Sequence, residues 1–474
     1  MENKKPHAIF IPYPLQGHVI PSVNLAINLA SQGFTITFIN THAVHQQTAS
    51  AAENHDLFAK VRDSGLDIRY STISDGLPVG YDRSLNHDEF MGALLHVFSA
   101  HVEEAVADII ASGEDVHCLI ADTFFVWPFK IAKKFRLLYV SFWTEPALVF
   151  TLYYHLHLLR INRHFDSQDA ERRHDEPIDY IPGVKAMEVK DTPSYLQELD
   201  TTSVCHQIIF KSFNEAKGAD FVLCNSVQEL ENDTVTALQA EIPFYSIGPI
   251  FSTDFADCSV ATSLWSESDC THWLDNKPHA SVLYVSFGSY AHLTKNDLTQ
   301  IADGLSLSKV SFVWVLRPDI VSSNDKDPLP VGYKEEISDR AMIVPWCSQK
   351  KILTHPAIGG FLTHCGWNST LESIWCQVPL LCFPLYTDQF TNRKLVVDDW
   401  KIGISLSTNK MITKEQVSDN INCLMRGDSK DDFRNRIKEA KKIMETALSP
   451  TGSSHTNMSQ FIQDVKTKIQ KLIQ

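Results

Sequence analysis

Residues 346–389 bring together a flat aromatic side chain, Trp346, the amides and carboxylates of Gln349, Glu372, Asp388 and Gln389, and an imidazole, His364, beside Gly366. Gly360-Phe361-Leu362-Thr363 reads as the end of a buried strand, His364-Cys365-Gly366-Trp367 as a tight turn, and Asn368 as the approximate start of a helix. Such a turn points backbone N–H groups outward at the positive end of the helix, which makes an anion site. Indole suits a nucleobase, amides and carboxylates suit sugar hydroxyls, and a histidine beside helix N–H groups suits phosphate. Together they describe a nucleotide-sugar pocket. A plainer reading also exists: Ser369 with Glu372 three residues on fits a capping box, which would form without any ligand. It leaves the Trp, Gln, His and Asp-Gln company unexplained.

A second set of reactive types lies near the start. Residues 7–11 form a short buried-strand pattern ended by Pro12 and Pro14. Gln16-Gly17-His18 then opens a segment with Val19, Val23, Ile27 and Ala30 at helical spacing, closed by Gly33, and residues 34–40 read as the next strand. A βαβ opening implies a parallel sheet with ligands at the carboxyl ends of its strands. His18 falls at that edge, although a lone histidine near a helix start is more often a solvated or capping residue. Residues 116–122 form a buried strand ending on Asp122, which on its own reads as the cap of the following turn. Thr144 follows a strand over 138–142, and Ser289 closes the stretch 281–289, a strand running into a glycine turn; both hydroxyls have ordinary structural readings.

The 346–389 stretch resembles the signature box of plant family 1 UDP-dependent glycosyltransferases, with its Trp, Gln, His, Gly, Trp, Asn, Ser, Glu, Asp and Gln in register. Around His18, Pro14-Leu15-Gln16-Gly17-His18-Val19-Ile20-Pro21 resembles the same family, and the likeness covers nearly the whole chain. Two positions depart from the pattern. Ser348 stands where the family has proline, which removes a backbone restraint beside Trp346. Gln377 stands where it has glycine, so that turn is not expected to rely on a cheap positive φ.

The resemblance implies an α/β protein of GT-B fold, two Rossmann-like domains facing a central cleft. They are expected over 1–250, which binds the acceptor, and 251–452, which binds the UDP-sugar, with 453–474 a helix packing back on the first. It makes His18 the general base and Asp122 the carboxylate that orients it and stabilises the imidazolium. An ordinary imidazole, with a pKa of about 6.5, suits that task near neutral pH. Trp346 is expected to stack on uracil with Cys347 beside it, and Gln349 and Glu372 to bind ribose, a role in which Glu372 cannot also serve a capping box. Ser289, His364, Gly366, Asn368 and Ser369 would hold the diphosphate, and Trp367, Asp388, Gln389 and Thr144 the sugar. Gly17, Phe124, Trp143 and Tyr386 are acceptor-side candidates.

The implied reaction inverts the anomeric configuration, with UDP-glucose as co-substrate on the strength of Gln389. The acceptor would be a small apolar alcohol of secondary metabolism: a plant phenolic, flavonoid or terpenoid, as Phe124, Phe125, Phe142 and Trp143 near the sheet edge suggest, although most of these read equally well as core. No metal or other cofactor is expected. Asp325-Lys326-Asp327 has the D-x-D spacing of metal-dependent glycosyltransferases but sits among Ser322, Ser323, Asn324 and Pro328 as a solvated loop. Other readings are a non-catalytic small-molecule or nucleotide-sugar binder and a UDP-sugar hydrolase or epimerase on the same fold. A nicotinamide dehydrogenase is disfavoured, since no G-x-G-x-x-G follows Ile9 or Tyr284.

At 474 residues the chain is too long for one core and predicts two or three units. Hydrophobic residues at 44% and charged residues at 21% are those of a soluble globular protein. A net charge of −15 argues against nucleic acid as a partner. The ten cysteines include no C-x-x-C pair, the pattern of reduced thiols in the cytosol. The start of the chain lacks a signal-peptide core, and the apolar run over 146–159 is too short to span a bilayer. A cytoplasmic monomer without a membrane anchor is expected. Residues 88–111 read as one long amphipathic helix, and 151–212 as an irregular insertion lining the acceptor pocket. Ser252, Thr253, Asp254, Asp257 and Ser259 mark the linker.

Overall fold

The computed structural model describes residues 5–52, 56–166, 176–251, 255, 263–321, 328–407 and 411–473. The linker residues Ser252, Thr253, Asp254, Asp257 and Ser259 and the Asp325-Lys326-Asp327 triplet lie outside them. The chain divides into two units: Met1–Val189, Tyr195–Trp265 and Thr446–Gln474 form one, and Lys190–Ser194 with Ser266–Glu445 form the other. No helix among the described residues is long and apolar enough to cross a membrane.

In the first unit, β1 (His7–Ile11), β2 (Thr35–Thr41), β3 (Ile68–Ile73), β4 (Cys118–Asp122), β5 (Leu138–Trp143), β6 (Phe221–Cys224) and β7 (Phe244–Ser246) form one sheet in the order β3-β2-β1-β4-β5-β6-β7. All its pairings are parallel. Five of these strands are buried at every residue, as parallel strands are when helices cover both faces. Phe10, Phe38, Ile120, Val140 and Phe142 pack on one face and Ile9, Ile11, Leu119, Ala121 and Tyr139 on the other, as the period of two requires. The helix Ser453–Ile473 lays Phe461, Ile462, Val465 and Ile469 against the first of these faces. Its Asp464 accepts a hydrogen bond from the Tyr245 hydroxyl at 2.7 Å.

The second unit repeats the design with β8 (Val282–Ser286), β9 (Ser311–Val315), β10 (Ala341–Val344), β11 (Ile358–Thr363), β12 (Leu380–Cys382) and β13 (Gly403–Ser405), ordered β10-β9-β8-β11-β12-β13. In each sheet the winding reverses beside the first strand, between β1 and β4 and between β8 and β11. Ligands of open α/β sheets lie at the carboxyl ends of strands at such a reversal. Both units are doubly wound, Rossmann-like folds.

Some local expectations change. The helix over 88–111 is two, His87–His96 and Phe98–Ala111, separated by Val97 at φ −114°. The helix after His364 begins at Trp367 with Gly366 as N-cap and no side-chain cap, so Ser369 lies inside the first turn and the capping box with Glu372 does not form. The turn that closes this helix does use a positive φ: Gln377 sits at +59°. Its N–H donates to Ile374 O and the Val378 N–H to Ser373 O, each at 3.0 Å, which is a Schellman closure. The two hydrogen bonds impose the left-handed conformation on a residue with a Cβ. Ser348, by contrast, sits at φ −70°, the value a proline ring would fix. Because a left-handed non-glycine residue costs about 1–2 kcal/mol, partly offset by glycine's greater freedom when unfolded, Gln377→Gly should stabilise the second unit by about 0.5–1 kcal/mol. Urea unfolding should show this as a higher midpoint with an unchanged m-value.

Candidate active site

Pro12 and Pro14 end β1, and the helix Gln16–Ser31 starts from Leu15 in an extended conformation. Val19, Val23, Ala26 and Ala30 bind its inner face to the core, which fixes His18 in the first turn at the carboxyl edge of β1. Parallel pairing places Ala121 opposite Ile11, so Asp122 ends β4 alongside. His18 Nδ1 lies 2.7 Å from Asp122 Oδ2. The other carboxylate oxygen accepts the Phe124 N–H at 2.9 Å, which locks the group's orientation. A ring nitrogen this close to a carboxylate carries the proton, leaving the lone pair on Nε2.

Thr144, assigned from the family likeness to the donor sugar, places its Oγ1 2.8 Å from the same Nδ1. In this structure it is a partner of the His18 ring. The Tyr13 and Phe124 rings flank His18 at centroid distances of 5.4 and 5.8 Å. Tyr13 is absent from the candidates read off the sequence; its place between the two prolines that end β1 was the available signal. Gly17 is exposed beside His18 and has nothing within 4 Å of a would-be Cβ. Trp143 belongs to the interior: its indole N–H donates to Pro146 O at 2.9 Å and its ring packs on Phe124, Phe150 and Phe213.

At the reversal of the second sheet, the turn after β8 carries Gly288 and Ser289, and the turn after β11 carries His364, Cys365 and Gly366. His364 Nε2 lies 2.6 Å from where a Cβ would stand on either Gly288 or Gly366, so both positions must be glycine for the ring to fit. Gly288, at φ +72°, needs one on backbone grounds as well. His364 Nδ1 is buried without a hydrogen-bond partner among the described residues. Close enough to act on the ring electrostatically is Arg317, 1% exposed. Its Nη1 donates to Gly288 O, its Nη2 to Ala291 O at 2.7 Å and its Nε to Asp319 at 2.9 Å. Burial, with the Arg317 charge adding to it, pushes the His364 imidazole down to about 4. Arg317 was missed from sequence because an arginine just past a strand reads as a surface residue.

A third cluster joins Gln349, at the start of the helix Gln349–Thr354, to the helix Trp367–Trp375. The Gln349 amide donates to Ser369 Oγ at 3.0 Å and to Glu372 Oε2 at 2.7 Å. Burial raises the Glu372 carboxyl above its usual range, while Lys350 and the Gln349 hydrogen bond oppose the shift. Trp346 is partly buried against the neighbouring core. The Cys347 and Trp367 side chains are core groups: the Cys347 thiol is buried beside Cys270 and Tyr284, and the Trp367 ring packs 6.1 Å from Trp400. Asn368 follows Trp367 in the first helical turn. Asp388 and Gln389 sit where a turn enters the helix Gln389–Lys394. Tyr386 lies in that turn, where burial raises its phenol and the Arg317 charge opposes the rise.

Two doubly wound parallel sheets, one with a braced histidine–carboxylate pair at its reversal and the other with an imidazole and an uncapped helix start, define the GT-B class. A model of the family described as UDP-glucoronosyl and UDP-glucosyl transferase matches residues 254–438. UDP-glycosyltransferase 86A2 of Arabidopsis thaliana is 58% identical, over 98% of this chain and 95% of its own length. (R)-Mandelonitrile beta-glucosyltransferase of Prunus dulcis is 33% identical over 98% of both chains. Os79 from O. sativa, in complex with UDP, matches with a TM-score of 0.83 at 26% identity, over 97% of this chain and all of that one. UGT2 of Phytolacca americana, complexed with UDP-2fluoro-glucose and pterostilbene, matches at 0.78 and 26%, over 98% of this chain and all of its own. The chain belongs to the plant family 1 UDP-glycosyltransferases, and it is a hexosyltransferase enzyme.

The His364 environment has a stability consequence. The unfolded chain takes up a proton near pH 6.5 that the folded protein does not take up until about 4. Stability from this imidazole is therefore complete above pH 6.5 and is lost as pH falls through that window, by up to about 3 kcal/mol. Urea unfolding at pH 7.5, 6 and 5 should show that decline in the ligand-free protein. The decline should be shallower in His364→Gln, and an identical slope in the variant would assign it to other groups.

Proposed function

We propose that this enzyme transfers glucose from UDP-glucose to a hydroxyl of a small apolar acceptor, a phenolic, flavonoid or terpenoid alcohol of plant secondary metabolism, with inversion at the anomeric carbon. The observation that carries the mechanism is the 2.7 Å contact between His18 Nδ1 and Asp122 at the reversal of the first sheet. Names of relatives support the donor and acceptor class: a glucosyltransferase acting on a cyanohydrin, a complex with UDP-2fluoro-glucose and pterostilbene, and one with U2F and trichothecene.

Asp122 holds the Nδ1 proton, so Nε2 accepts the acceptor's hydroxyl proton as its oxygen attacks the anomeric carbon. The bond from that carbon to the UDP oxygen breaks on the opposite face, and the departing diphosphate takes the electron pair. Asp122 stabilises the imidazolium that forms. Negative charge growing on UDP meets the helix start at Gly366–Trp367 and the His364 cradle, so the step is proposed to run without a metal. Trp346 stacks on uracil, Gln349 and Glu372 bind ribose, and Asp388 and Gln389 hold the hexose. Thr144 shares the Nδ1 proton with Asp122 and keeps the ring from rotating. The protein is proposed to act as a cytoplasmic monomer.

His18→Ala should lower transfer about 10²–10⁴-fold, the usual range for a general base, with UDP-glucose affinity within about two-fold of wild type. A mass-spectrometric assay against a panel of phenolic and terpenoid alcohols, beside calorimetry, tests both parts. Full activity in the variant would sink the assignment. Thr144→Val should cut kcat about ten-fold at an unchanged KM for UDP-glucose, and Thr144→Ser should restore it. A raised donor KM at constant kcat would return Thr144 to the sugar.

A further inference from the structure

Lys190–Ser194 comes from the first half of the chain, between stretches that belong to the first unit, yet it packs as part of the second. It does so on the turn and helix that carry Asp388 and Gln389. Ser194 N–H donates to Thr387 O at 3.0 Å, and Thr387 N–H donates back to Ser194 Oγ at 2.9 Å. The Asp191 carbonyl accepts from Thr391 Oγ1 at 2.7 Å, and its carboxylate, 8% exposed, pairs with the Arg393 guanidinium. Thr192 between them is buried. Two anchors thus grip the turn at Thr387 and the helix at Thr391 and Arg393.

The gripped turn is one that would not hold its shape by default. Thr387 sits at φ +57°, a left-handed conformation that a β-branched residue keeps only when neighbours over-determine it. Its hydroxyl donates to Asp388 Oδ1 at 2.8 Å, Asn392 donates to the other Asp388 oxygen at 2.6 Å, and Gln389 Oε1 accepts the Leu385 and Tyr386 N–H groups at 2.9 and 3.2 Å. The direction of the carboxylate and amide is therefore tied to the backbone at Thr387, and that backbone is tied to Ser194.

We propose that Lys190–Ser194 is a clamp that sets hexose selectivity, with Asp191 and Ser194 as positioning residues that act through the Thr387 turn and touch no substrate. The inference rests on the reading that Asp388 and Gln389 hold the donor sugar. Without the clamp the turn relaxes out of its left-handed conformation, and Asp388 and Gln389 lose their aim at the hexose hydroxyls. Uracil, ribose and diphosphate recognition is untouched, because Trp346, Gln349, His364 and the helix start are braced elsewhere.

The test compares wild type with Ser194→Ala, Asp191→Asn and the double variant on UDP, UDP-glucose and UDP-galactose, by calorimetry and by kcat/KM with one acceptor. The clamp predicts an unchanged UDP affinity and about a ten-fold loss in the preference between the two hexoses in the double variant, with Ser194→Ala alone showing part of it. Equal preference in variant and wild type overturns the clamp, even where thermal stability falls. If Asp191→Asn does not fold, Ser194→Ala decides by the same ratio. A wild type that binds neither UDP-sugar overturns the functional reading; a wild type that discriminates, with variants that discriminate equally, overturns the clamp alone.

Discussion

A parallel strand pair cannot be closed by a tight turn, so every connection crosses back over the sheet and all carboxyl ends face one edge. Where successive crossovers pass to opposite faces of the sheet, a crevice is left open at that edge. In this chain the reversals fall between β1 and β4 and between β8 and β11, and every group with a chemical task in the proposed reaction is placed relative to one of them. His18 and Asp122 are 104 residues apart in sequence, yet the register of Ile11 with Ala121 leaves their side chains no separate place to go. Gly288 and His364 are brought together by the pairing of Ser286 with Thr363 in the same way.

Bringing polar groups to a buried edge removes their water, so each must find a partner or move its titration. Both solutions occur in this chain, each within one unit. Asp122 spends its two oxygens on His18 and the Phe124 N–H. Gln349 spends both amide hydrogens on Ser369 and Glu372, and Glu372, still under-solvated, is pushed up. His364 Nδ1 has no such partner among the described residues, and burial with the Arg317 charge pushes the ring down. The result is a set of side chains aimed before any ligand arrives, the condition under which electrostatic stabilisation needs no reorganisation.

Much of this was legible in the sequence because burial on both faces turns a parallel strand into an unbroken apolar run, and the longer runs, such as 7–11 and 118–122, announced themselves. The three-residue strands β7, β12 and β13 are too short to show any period and went unread. Ser369 and Glu372 had capping-box spacing but stand one turn too late, since Gly366 already ends the preceding loop. Gln377 argued against a left-handed turn, yet two Schellman hydrogen bonds outweigh its Cβ. The Asp191–Arg393 pair spans 202 residues, and nothing local in either segment points to the other. Side-chain identity marks which groups could do chemistry; which hydroxyl meets which ring depends on tertiary packing that no local pattern encodes.

Arg317 shows how far that packing reaches into mechanism. A guanidinium cannot shed its charge, and burial leaves it tolerable only because Gly288 O, Ala291 O and Asp319 take up its donors. Those bonds hold the turn that carries Ser289. The Arg317 charge adds to burial in holding the His364 imidazole down in the ligand-free protein; an arriving diphosphate would oppose both and draw the titration of this ring back toward its ordinary range.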